Sequence, residues 1–311
     1  MRWVTCELEG EERVGLIVGD DVHLHDRGPS LLEVIDGGQM AEVAARLRRS
    51  PSDVLPLEKC HLVSPLPRPP SVRDAVGFLD HVRGCRRAYG RDPHLEEVWH
   101  QVPAFYFGNP SSILGPYDEV PMAPGSRWFD FELEVGAVIG RTGRDLGLRA
   151  AQEAIVGYTL FCDWTARDLQ RLDTAMGIGQ GKGKDSGLTL GPWLVTAEEI
   201  AGSVRDGALD LEIWASVNGQ EIARGTLAGM DWTFAEIVSY VSRGTDLRPG
   251  DVIGSGTLPG GCLLEHLTGD PDTFDRWLRP GDVVSLGGDL LGRTEQRVVP
   301  GVPVHRLPSG F

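Results

Sequence analysis

Residues 127–140, RWFDFELEVGAVIG, set the hardest condition on what this chain can fold into. Alternate side chains of a strand share a face, so Asp130, Glu132 and Glu134 point one way while Phe129, Phe131, Leu133 and Val135 point the other. The simplest reading is an amphipathic strand with a wet acidic face. Residues 135–139 oppose it, because they are apolar on both faces, as in a strand covered on both sides. Carboxylates carried into such a strand need cations or a metal ion beside them.

A chain of 311 residues can bury a large core without crosslinks. Cys6, Cys60, Cys85, Cys162 and Cys262 are odd in number and widely spaced, with no C-x-x-C, so they indicate neither a disulfide framework nor a structural zinc site. Reduced thiols, no apolar run approaching the roughly 18 residues of a membrane span, and a charged N-terminal stretch lead to the expectation of a cytoplasmic protein. The net charge of −15 argues against nucleic acid as a partner and leaves a small anionic substrate open.

Residues 1–66 read as a small α+β module: short strands over 4–26, then helical sequence over 30–50 interrupted at Gly37 and Gly38. Prolines at 65–70 favour an extended connector, and 67–311 form the second unit. There, glycine and proline punctuate many short β-rich segments with few helices between them, which predicts a β-dominated α+β fold. Val217–Asn218–Gly219–Gln220 is a hairpin turn signal. Val76, Leu79, Val82 and Cys85 recur at i, i+3 and predict a helix over 71–90, with Asp74 and His81 off its apolar stripe. Asp163 follows an apolar strand and opens a helical stretch, so it suits a helix N-cap as well as a ligand position. The glycine-rich run 177–185 fails both the dinucleotide fingerprint and the P-loop pattern, and reads as a loop carrying Lys184.

FDFELEVGAVIG, FCDWTARDLQ, GKGKDSGLTLGPWLVT, GSGT and LRPGDVV occur in this order over roughly residues 65–300, and this ordered set resembles the fumarylacetoacetate hydrolase family. The resemblance implies a mixed β-roll holding a divalent cation, usually in a homodimer. It implies Glu132, Glu134 and Asp163 as ligands and Asp74 as a fourth ligand found in some members. Asp130 falls outside that ligand set and is expected to be structural. Hard oxygen ligands suit Mg²⁺, Mn²⁺ or Ca²⁺. His81 takes the family's base position, with His94 and His100 as nearby alternatives. Glu265, after the Gly-Ser-Gly-Thr turn, is the expected partner of His81, because Gly84 stands where some members carry that glutamate. Lys184 matches a residue supporting developing charge; Tyr106, Arg167, Gln170 and Thr257 match substrate-binding positions.

The implied reaction is cation-assisted hydrolysis of a C–C bond in a β-diketo acid such as an acylpyruvate, with His81 activating water. Decarboxylation, isomerisation or dehydration of a 2-oxo acid at the same centre is the alternative, and a non-catalytic ligand-binding role the third. Residues 78–102 are expected to form a lid, with Arg86, Arg87 and Arg91 as partners for a second substrate carboxylate.

Overall fold

The structure, a computed structural model, describes residues 1–205 and 208–308. Among these residues a twelve-stranded sheet dominates, with a five-stranded sheet packed beside it. Both sheets are mixed: Val72–Ala75 runs parallel to Val252–Gly254, and Gly292–Val299 runs parallel to Val120–Pro121. The fold is β-dominated α+β, as the segment pattern predicts.

Strand Leu133–Ile139 lies in the interior of the large sheet and is buried at every position. Its alternate residues serve two different cores. Leu133, Val135, Ala137 and Ile139 join Ile213, Ala215, Val284 and Leu286 of the smaller sheet. Val138 faces the other way and packs with Trp3, Leu16 and Phe161 under the N-terminal helices. Two apolar covers explain why this segment reads as apolar throughout. Glu134 shares the Val138 face, so the wet-surface reading of the acids does not hold: Asp130, Glu132 and Glu134 are all buried.

The acidic stretch is also not one strand. Phe129–Asp130 pairs with Thr165–Ala166 in a separate ladder, and the large sheet resumes at Leu133. At the break, the Phe131 N–H donates to the Asp130 carboxylate at 2.8 Å instead of to a neighbouring strand.

The helix expected over 71–90 is shorter at its start. Val72–Ala75 is a fully buried strand between Val252–Gly254 and Phe105–Gly108, and the helix spans Leu79–Ala88. A short apolar segment does not distinguish strand from helix by periodicity, and burial on both faces decided for strand. Asp163 ends strand Ile155–Asp163, and the following helix, Arg167–Ala175, has Ala166 at its N-cap; the capping role for Asp163 is therefore wrong.

Near the N-terminus, helices Leu31–Asp36 and Met40–Arg49 are separated at the two glycines. Strand Arg2–Leu8 pairs with Leu188–Thr196, so the first 66 residues and the rest of the chain share one sheet. The hairpin between Glu212–Val217 and Gln220–Thr226 turns through Asn218 and Gly219, both at positive φ (51° and 79°), as a type I′ turn requires.

Candidate active site

Sheet register assembles the acids. Tyr106 stands opposite Asp74, Asp74 beside Gly254, and Gly254 opposite Gly136, two residues beyond Glu134. On the far side, the Asp163 N–H donates to the Glu132 carbonyl. Carboxylates distant in sequence thus meet at one end of adjacent strands. Gly254 is required by this crowding, since a Cβ there would lie 2.2 Å from Asp74 Oδ1.

Asp74, Glu132 and Glu134 each offer an oxygen within 4.8 Å of the others. Asp163 joins them through two shared partners. The Lys184 ammonium donates to Asp163 at 2.6 Å and also to Glu132. The Tyr106 hydroxyl lies 2.6 Å from Asp74 and also against Asp163. A phenol has one proton to donate, so Tyr106 serves only one of these two carboxylates as a donor at a time. Glu134 accepts from the Gly256 N–H at 3.0 Å and the Thr257 hydroxyl at 3.1 Å. Tyr106 and Thr257, expected on substrate, therefore also hold the acids.

The electrostatics separate these groups. Burial pushes Asp163 up to about 7 and raises Asp74 and Glu134 as well, with neighbouring acids adding to the effect. Glu132 is pulled down, because Lys184, Arg167 and His81 outweigh its burial. Arg167 donates from Nη2 to Glu132 and from Nε to Asp130, each at 2.8 Å. Its remaining nitrogen donates to Gln170, which in turn donates to Gln180.

Asp130 has a different task. It accepts from Arg167 and from the N–H groups of Leu263 and Leu264, at 2.7 and 3.1 Å. Those residues begin the short helix Leu263–His266, which carries Glu265. Asp130 therefore fixes both the arginine beside Glu132 and the backbone that presents Glu265.

The Glu265 carboxylate lies 2.7 Å from His81 Nδ1, although the residues are 184 positions apart. His81 Nε2 faces Glu132 at 3.9 Å. Burial lowers the imidazole pKa, but Cys262 and Glu265 more than offset this and raise it to about 10. Gly84 makes the pair possible: a Cβ there would sit 2.5 Å from Glu265 Oε2. A side chain at position 84 and a carboxylate arriving from 265 compete for one space.

A cavity of about 270 Å³ opens over this centre, lined by Asp74, His81, Glu132, Glu134, Lys184 and Thr257 among others. Arg86 and Arg91 line it, whereas Arg87 is exposed and does not. Arg171 also lines it and stacks on Trp128, with its guanidinium carbon 5.0 Å from the ring centroid; sequence reasoning passed over it. Its position one helical turn after Arg167 was the available signal. His94 and His100 are exposed and do not line the cavity.

The donor set fits a hard divalent cation. Asp74 Oδ1 and Asp163 Oδ1 are buried with no hydrogen-bond partner. Four buried carboxylates are offset by Lys184 and by Arg167, which Asp130 shares. Burying an ion costs several kcal/mol after relaxation, so such a surplus is a poor way to stabilise a fold and a good way to hold a cation.

The class defined here is a β-dominated protein with a buried carboxylate centre and an adjoining histidine–glutamate pair. The profile of the fumarylacetoacetate (FAA) hydrolase C-terminal family matches residues 71–299, and the chain belongs to that family. A Burkholderia ambifaria relative, provisionally named a hydrolase, is 32% identical over 301 residues, covering 95% of this chain and 98% of the relative. A fumarylacetoacetate hydrolase from Exiguobacterium antarcticum superposes with a TM-score of 0.73 at 28% identity, covering 96% of this chain and 99% of that one. A Mycobacterium abscessus structure assigned as a 2-hydroxyhepta-2,4-diene-1,7-dioate isomerase gives 0.72 at 28%, covering 97% and 100%. Maleylpyruvate hydrolase from a Sphingobium species, solved with manganese(II) and pyruvate, shares the fold at a TM-score of 0.71 and 22% identity, covering 97% and 100%. No helix among the described residues is long and apolar enough to cross a membrane.

Three measurements test this geometry. Asp163, Asp74 and Glu134 keep their protons to higher pH when folded than the value near 4 expected unfolded. Between about 4 and about 7 the folded state then binds more protons, so raising pH favours unfolding. The melting temperature of chelator-treated protein should fall across that window, and excess Mg²⁺ should raise it more at pH 8 than at pH 5. Asp130→Asn should lower stability by about 3 kcal/mol, because Arg167 loses a buried charge partner, and keep the cation; Glu134→Ala should lose the cation in calorimetric titration. Gly84→Ala should fold but displace Glu265, cutting kcat by roughly tenfold or more with little change in cation affinity.

Proposed function

We infer that this protein is a divalent-cation-dependent hydrolase that cleaves a C–C bond in a β-diketo acid of the acylpyruvate type. The observation that carries this reading is the 2.7 Å His81–Glu265 pair at the edge of the carboxylate centre. Glu132, Glu134, Asp163 and Asp74 would hold the cation, and Lys184 would remain beside Glu132 and Asp163. When bound, the cation supplies Lewis acidity toward the oxygens of the chelating 2-oxo acid end. Mg²⁺ and Mn²⁺ both suit oxygen ligands, and the manganese complex of the Sphingobium enzyme supports a divalent ion.

His81 has the proton-handling role. With Nδ1 held by Glu265, Nε2 would take a proton from a water directed at the acyl carbonyl of the substrate. Hydroxide attack on the acyl carbonyl followed by cleavage of the C–C bond yields a carboxylic acid and the enolate of pyruvate, which takes back the proton held by His81 to become the enol. Lys184, held beside Glu132 and Asp163, would offset negative charge that builds on the departing fragment. The raised His81 pKa means the base is protonated in the cation-free site, and a divalent charge nearby favours its neutral form. Arg86, Arg91 and Arg171 offer positive charge at the cavity wall for a second carboxylate on the acyl side.

Isomerisation is the second reading, supported by the isomerase-assigned neighbour at 28% identity. It uses the same centre without water as a reactant. Incubation with acylpyruvates and Mg²⁺ or Mn²⁺ separates the readings: hydrolysis removes the enol absorbance and releases pyruvate and a carboxylic acid in equal amounts. An isomer of unchanged mass, or carbon dioxide, would reject hydrolysis. His81→Ala should lower kcat by about 10²–10⁴-fold while retaining the cation. Undiminished turnover in that variant would remove His81 from the mechanism.

A further inference from the structure

The His81–Glu265 pair has two more neighbours that the reaction does not need. Cys85 Sγ lies 3.7 Å from His81 Nε2 and 3.9 Å from Nδ1. Cys262 Sγ lies 3.6 Å from Glu265 Oε1. One ligand atom from each of His81, Cys85, Cys262 and Glu265 falls within 4.8 Å of all the others. Two elements supply two donors apiece. His81 and Cys85 stand one turn apart on helix Leu79–Ala88, while Cys262 caps the short helix Leu263–His266 that carries Glu265. This donor set is soft, unlike the all-oxygen centre beside it.

The geometry points to a second metal site, in which Cys85, Cys262, His81 and Glu265 bind one Zn²⁺-class ion and thereby silence the base. A tetrahedral zinc ion with bonds of about 2.3 Å to sulfur and 2.0–2.2 Å to nitrogen or oxygen holds its ligand atoms about 3.3–3.8 Å apart. With His81 Nδ1 as the ligand, the sulfur contacts of 3.6 and 3.9 Å lie at or close to those edges. The 2.7 Å contact between His81 Nδ1 and Glu265 must open, and opening it ends the hydrogen bond that orients the imidazole. Binding moves no electrons; each thiol, and the imidazole where it is protonated, releases one proton to water as it becomes a ligand. Two thiolates and a carboxylate leave one net negative charge around a divalent ion, and the buried Arg167 guanidinium, coupled electrostatically to both cysteines, offsets it. The way in is the cavity, which His81 and Cys85 both line. The ion site rests on this geometry alone, whereas its inhibitory effect rests on the reading of His81 as the base.

The test is a titration of the reduced, full-length protein with Co²⁺ or Cd²⁺ in excess Mg²⁺, so that oxygen ligands are already supplied with a hard ion. A carboxylate centre gives no sulfur signal, whereas thiolate ligation gives a charge-transfer absorption. The expected result is such an absorption, saturating at one ion per chain, with a parallel loss of acylpyruvate turnover that a chelator reverses. Cys85→Ser and Cys262→Ser should each abolish the absorption and weaken Zn²⁺ binding at least tenfold. Cys85 is the half-buried member, so its variant guards against a folding failure at the fully buried Cys262. Cys6 and Cys60, which neighbour each other elsewhere, should be replaceable by serine with the signal intact. No charge-transfer absorption, or one that survives in both the Cys85 and Cys262 variants, would overturn the site. Absorption without inhibition would overturn the silencing and the assignment of His81 as base, leaving the ion site standing.

Discussion

Everything at the functional end of this molecule depends on keeping negative charge inside a β-sheet. Glu132 and Glu134 lie where the large sheet meets the cavity, and Asp74 and Asp163 arrive from flanking strands. In a low-dielectric interior such charges repel one another and lose their hydration. The chain offsets this unevenly. Glu132 receives Arg167 and Lys184 and stays ionised, while Asp163, Asp74 and Glu134 are driven toward their protonated forms. That imbalance, together with the unpartnered Asp74 and Asp163 oxygens, is why the donor set fits a divalent cation.

Asp130 shows how the same chemistry serves architecture. It is as buried as the acids beside the cavity, yet its oxygens are taken up by Arg167 and by backbone N–H groups. A fully satisfied carboxylate rigidifies, whereas an incompletely satisfied one awaits a ligand. Asp130 also ties the strand segment to the helix bearing Glu265, so the orientation of His81 depends on a residue that does not touch it. The glycines act in a complementary way. Gly84 and Gly254 matter for the side chain they lack, since each leaves room for a carboxylate from a distant segment.

Local patterns made part of this legible. The split of the N-terminal helices at Gly37 and Gly38 and the turn at Asn218–Gly219 follow from backbone preferences of adjacent residues, and both lie where the pattern placed them. The interior strand was readable from its apolar run, though its interruption after Asp130 was not, because Phe129–Asp130 pairs with the distant Thr165–Ala166 and the Asp130 carboxylate that takes the Phe131 N–H is held in place by Leu263 and Leu264. Val72–Ala75 was misjudged as helical for a related reason: its strand partners lie near positions 107 and 253. Arg171 escaped notice because only the fold turns its helix toward the cavity. The separation of Cys85 from Cys262 likewise concealed that both flank one histidine.

The sequence by itself determined the composition of the site: which acids alternate along a buried strand, which lysine and arginine accompany them, and the family to which the ordered motifs belong. These are properties of neighbours along the chain, and alternation in a strand needs no tertiary contact to define a face. Tertiary structure alone decided how the charges were shared. Whether a carboxylate meets an arginine, a lysine or another carboxylate depends on strand register and on loop returns across as many as 184 positions. Those meetings decide which carboxylate has its oxygens taken up and braces the fold, and which keep unpartnered oxygens at the buried centre.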